Sequence, residues 1–162
     1  MKMSVLYSSV TGNTRQMAEV IAQGMASVAG VQARAFSIDD VDEAHLAESR
    51  CVVLGTPTYM ASMSAAVKTW LEEKGVKLGL AGKMCGAFAT ARYIHGGSEL
   101  AIQSILAHLM VAGMLPYSGG AAFGPPVIHL GPVAIDGKLA ESREVFLTYG
   151  ERMAKKAMEL FG

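Results

Sequence analysis

The chain is short of the features that commit a protein to several common classes. Only two cysteines occur, Cys51 and Cys85, far apart and with no Cys-x-x-Cys spacing. That excludes a disulfide framework, and two thiolates are too few for the usual four-thiolate iron–sulfur centre. Each lies in an apolar run, so both read as buried, reduced thiols on strands. Charge is scarce as well: charged residues make up 17% and the formal net charge is zero, with a pI near 6.9. No basic surface is available for nucleic acid or an anionic membrane. No apolar run reaches the roughly 18 residues of a membrane span. Met1-Lys2-Met3-Ser4 leads directly into a strand pattern rather than a signal peptide, so a cytoplasmic location is expected. The one dense acidic run, Asp39-Asp40-Val41-Asp42-Glu43, reads as a solvated connector before a short helical turn, and no metal site is expected.

What the chain has instead is 51% hydrophobic residues in 162, enough to bury a real core in one domain spanning 1–162. Its organising stretch is Ser8-Ser9-Val10-Thr11-Gly12-Asn13-Thr14. An apolar run, Met3 to Tyr7, precedes it. A helical pattern with apolar residues at 17, 20, 21 and 25 and a glycine at 24 follows. A polar loop between strand and helix presents free backbone N–H groups at the positive end of the helix dipole, which is an anion site. Ser9, Thr11, Asn13 and Thr14 add short donors, and Gly12 allows close backbone approach. No lysine occupies the loop, which argues against a nucleotide triphosphatase and in favour of a single monophosphate. The plainer alternative is a helix start capped by ordinary Ser, Thr or Asn.

Three further strands follow the edge strand near 31–37. Arg50 to Thr56 is a continuous apolar run, as in a strand buried on both faces. The second loop, Pro57-Thr58-Tyr59-Met60, comes next, and then a helical pattern through Val67, Trp70 and Leu71. Lys83 to Thr90 is another buried strand, and the third loop, Ala91-Arg92-Tyr93-Ile94-His95-Gly96-Gly97, opens a helix from Leu100 to about Ala112. That helix is expected to bury Leu100, Ile102, Ile105, Leu106, Leu109 and Met110. A last strand is expected at 114–118. Residues 119–138 read as a Gly/Pro-rich loop without regular structure, functional or interfacial, and 140–160 as the final helix. The order implies an α/β protein with a doubly wound five-stranded parallel sheet, order 2-1-3-4-5, and helices on both faces. Ligands in such sheets sit outside the carboxyl ends of the strands, where all three loops fall.

Together these loops resemble the flavodoxin-like family of FMN-binding proteins. Ser9-Val10-Thr11-Gly12-Asn13-Thr14 matches the family's phosphate signature nearly letter for letter. Gly55-Thr56-Pro57-Thr58-Tyr59, leading to Met63-Ser64, is similar to the second loop of the tryptophan-repressor-binding-protein type of NAD(P)H:quinone oxidoreductase, in which Tyr59-Met60-Ala61-Ser62 replaces Arg-Phe-Gly-Asn. The resemblance implies FMN as cofactor, with its phosphate at Ser9, Thr11, Gly12, Asn13 and Thr14. Its ring would lie between Pro57, Thr58, Tyr59 and Met60 on one side and Thr90, Ala91, Arg92, Tyr93, Gly96 and Gly97 on the other. Tyr59 and Tyr93 are the expected ring contacts, with Arg92 or His95 supplying positive charge. For a catalytic role the chain offers only His129 and Tyr93. The expected activity is an NAD(P)H-dependent oxidoreductase, taking NADH or NADPH as co-substrate and reducing a quinone or similar small molecule. The alternative is an electron carrier whose partner is a redox protein. The apolar content also implies a homodimer or higher oligomer.

Overall fold

The computed structural model describes all residues 1–162. Strand β1 (Lys2–Tyr7) leads through the polar loop into α1 (Asn13–Ala26). Then follow β2 (Gln32–Ser37), α2 (Glu43–Glu48), β3 (Ser49–Tyr59), β4 (Ser62–Met63) and α3 (Ala65–Glu73). The second half consists of β5 (Met84–Ala91), α4 (Ser98–Val111), β6 (Leu115–Pro116), β7 (Val133–Ile135) and α5 (Leu139–Phe161).

The parallel sheet runs β2-β1-β3-β5, with β6 and β7 sharing the far edge. Val5 pairs with Val53 and Val53 with Gly86, so β3 lies at the centre. This explains its unbroken apolar sequence: successive side chains face opposite helical layers and both layers need hydrocarbon. Val53, Met3 and Val5 pack with Met17, Ile21 and Met25 of α1 and with Phe146, Tyr149 and Met153 of α5. Val52, Leu54 and Leu6 pack instead with Val67 and Trp70 of α3 and with Ile102, Ile105 and Leu109 of α4. A Cβ on Gly24 would meet the Leu147 carbonyl at 2.1 Å, and one on Gly150 the Ile21 carbonyl at 2.2 Å, so two hydrogens let α1 and α5 touch backbone to backbone. Cys51 and Cys85 are both free and buried, as their apolar context predicted.

The structure departs from the expected pattern in two places. First, residues 119–138 are not structureless: a 3-10 turn occupies Ala121–Phe123, and β7 restores pairing with β5 from Ala89 to Ala91. The fifth strand position is thus filled by two short pieces separated by a strap. Between them the Tyr149 hydroxyl donates to the Ala87 carbonyl at 3.3 Å, in place of the missing strand. The Arg152 guanidinium donates to the carbonyls of Gly119, Gly120, Phe123, Gly124 and Pro126, tying the strap to α5. Second, Leu100 and Met110 of α4 are exposed, while Ala101 is buried. Counting every apolar residue of that helix drew the stripe too wide. No helix is long and apolar enough to cross a membrane.

Candidate functional site

A cavity of about 210 Å³ opens at the carboxyl ends of β1, β3, β5 and β7. Val10, Thr11, Asn13 and Thr14 line it from the first loop. Pro57, Thr58 and Tyr59 come from the end of β3, Thr90, Ala91 and Arg92 from the end of β5, and Asp136 from the turn after β7.

The first loop is built by short-range bonds. The Ser9 hydroxyl accepts the Gly12 N–H at 3.1 Å, and Gly12 takes φ +93°, a conformation that an L side chain rarely adopts. Gln16 makes the first helical bond, to the Gly12 carbonyl. The N–H groups before it therefore have no carbonyl one turn back, and the first turn of α1 holds no carboxylate. Buried Thr14 and Thr90 share a hydroxyl–hydroxyl bond of 2.8 Å, which fixes the start of α1 against the end of β5. Asn13 Nδ2 donates to Asp136 Oδ1 at 2.9 Å, and the Asp136 N–H is itself anchored on the Ala91 carbonyl.

The opposite wall is a hairpin. Thr58 pairs with Met63 and Tyr59 with Ser62, leaving Met60 and Ala61 as a two-residue turn with φ of +48° and +58°. Such a turn follows the twist of its strands but strains side chains other than glycine. Ala61 packs against Gly97, where an added Cβ would lie 2.5 Å from Ala61 Cβ. Gly97 is therefore needed for the approach of the second and third loops as well as for its own φ of +84°. The Thr58 hydroxyl, on this wall, is the one buried side-chain polar atom in the protein without a hydrogen-bond partner.

Nine of the residues expected from sequence line this cavity, Arg92 among them, while Ser9 and Gly12 shape the loop beneath it. Met60 is 99% exposed at the hairpin tip, and Tyr93 stands at the third loop with the Arg92 guanidinium 5.9 Å from its ring centre. Gly96 and Gly97 do not line the cavity and pack instead against Tyr93 and Ala61. His95 is exposed nearby and does not line the cavity. His129 is placed elsewhere, in a second cavity between the strap and α4 with Glu99, Ile102 and Val145. Asp136 was missed. Its signal was present, since Val133-Ala134-Ile135 before Asp136-Gly137 is a short strand followed by a turn pair.

A parallel five-position sheet with a lysine-free loop of N–H and hydroxyl donors at its carboxyl edge is the arrangement of the flavodoxin-like class of α/β proteins. The chain belongs to the flavodoxin family, whose sequence pattern it matches over residues 5–92. It is 44% identical over 161 residues to a flavodoxin of Clostridium saccharobutylicum, covering 99% of this chain and all of that one. It is 30% identical to an NAD(P)H dehydrogenase (quinone) of Cupriavidus metallidurans, covering 99% of each chain. A solved flavodoxin from the domain Archaea superposes with a TM-score of 0.73 at 26% identity, over 98% of this chain and 99% of that one.

Membership in the family implies FMN, and the residues present fit it. The first loop offers N–H groups and hydroxyls to a phosphate, and Thr58, on the cavity wall, carries a hydroxyl with no partner within the protein.

Proposed function

We propose that this protein is an electron carrier that holds FMN at the carboxyl edge of its sheet and exchanges electrons with partner redox proteins. The carrying observation is the full-length correspondence with a curated flavodoxin at 44% identity. Matching the quinone dehydrogenase takes 203 positions against the 162 residues of this chain, so that enzyme holds about 41 residues with no counterpart here. Bound FMN supplies a ring that accepts and returns one or two electrons.

The chain's own residues provide the rest. Thr11, Asn13, Thr14 and the start of α1 hold the phosphate without a cation. Pro57 stiffens the wall on which Thr58 offers its hydroxyl, and Tyr59 and Tyr93 flank the mouth as flat apolar surface for the ring and for a docking partner. Arg92 places one positive charge at the opening. The exposed Leu100, Met110 and Val111 on α4 support self-association as a homodimer.

A second reading, NAD(P)H-dependent reduction of a quinone or other small acceptor, is supported by the named dehydrogenase relative. Rapid mixing separates the two. The FMN-loaded protein is expected to stay oxidised for seconds against NADH or NADPH, yet to bleach with a reduced redox protein. Fast bleaching by either nicotinamide overturns the carrier reading in favour of the enzyme.

A further inference from the structure

Asp136 is an unexpected occupant of an anion site. Its carboxylate lines the same cavity as the phosphate loop, and it is exposed and makes no ion pair. Its Oδ1 accepts the Nδ2 proton of Asn13 at 2.9 Å, and Asn13 is the first residue of α1. The carboxylate thus sits beside the partial positive charge of the helix start and takes up one of the few side-chain donors there. Arg92 is the only cation on the cavity wall, and no lysine offsets the added charge.

We propose that Asp136 limits affinity for the phosphate end of the ligand. A doubly charged ester entering the loop meets a fixed negative charge and a committed Asn13 amide, so that FMN is held less tightly than the loop alone would allow. The residue also narrows the protein's preference for phosphorylated over unphosphorylated flavin. It acts as a specificity-setting residue and takes no part in electron transfer. The proposal rests on the FMN reading above.

The test is Asp136→Asn, because an asparagine Oδ1 still accepts from Asn13 and only the charge is lost. Dissociation constants for FMN, riboflavin and inorganic phosphate are measured by flavin fluorescence quenching, phosphate as a competitor of FMN. In Asp136→Asn, FMN should bind roughly tenfold more tightly at low salt, a change of the size expected for one charge near a dianion in water-like surroundings. The gain should shrink as ionic strength rises past about 0.1 M, where the screening length is about 10 Å. Phosphate should compete better and riboflavin should be unaffected. Asp136→Ala, which also frees the Asn13 amide, should tighten FMN at least as much. Unchanged or weaker FMN binding in Asp136→Asn overturns the proposal, as does an equal shift for FMN and riboflavin. If the unaltered protein binds no FMN, the site reading itself falls and the proposal with it. Normal FMN binding with an indifferent Asp136→Asn removes the proposal alone.

Discussion

Replacing Thr58 by valine should move the stability of the ligand-free protein and its affinity for FMN in opposite directions. The Thr58 hydroxyl is buried without a partner. An unsatisfied buried hydroxyl costs about 1–3 kcal/mol. Valine keeps the branched shape, suits the strand position opposite Met63, and removes the group that water has lost. The ligand-free variant should therefore be more stable by about 1 kcal/mol, which in a chain of this size raises Tm by about 2–4 °C. On the FMN reading proposed above, the same hydroxyl gains a partner in the complex, so the variant forgoes that bond. A loss of about 1.4 kcal/mol corresponds to a tenfold weaker Kd. Thermal unfolding of the ligand-free protein and fluorescence titration with FMN measure the two halves separately. If Thr58→Val lowers Tm, or leaves it unchanged while FMN affinity stays intact, the hydroxyl is not a ligand donor held in reserve.

Other perturbations test the site and the frame around it. Thr14→Glu places a carboxylate at the start of α1 and breaks the bond to Thr90, so FMN binding should fall at least a hundredfold in the same titration. Burial pushes the Cys85 thiol up to about 12 and raises Cys51 and Tyr149 as well, since the anion each would form has no water to solvate it. Their protonated forms stabilise the fold fully below the unfolded values, near 9 for the thiols and near 10 for the tyrosine, and that contribution is lost as pH climbs from there through the folded values. Urea midpoints should accordingly fall steadily above pH 9, and neither thiol should react with a thiol reagent at pH 8 until the chain unfolds. Arg152→Met removes the donors to five strap carbonyls and should cost about 2–4 kcal/mol. Hydrogen exchange should then localise the loosening to residues 119–132, and uniform protection there would contradict the role given to Arg152.

The sequence by itself determined the layering and the loop that lines the cavity at the carboxyl edge of the sheet. Hydrophobic spacing is local information: the continuous run in β3 can only be a strand covered on both faces, and the stripe on α1 needs one buried side. The loop from Ser9 to Thr14 was equally legible, because its chemistry lies in consecutive residues between a strand and a helix. Tertiary structure alone decided what distant segments do to one another. Asp136 reaches Asn13 across 123 positions, Arg152 gathers a strap that reads as featureless, and Thr58 is left with a buried hydroxyl that no other segment partners. The same holds for His129, which side-chain chemistry nominated for the site and which the strap carries to a different cavity. Periodicity reports which face of an element is buried. It carries no term for which remote polar group arrives beside it, and at this site the remote groups set the charge and the unmet hydrogen bond.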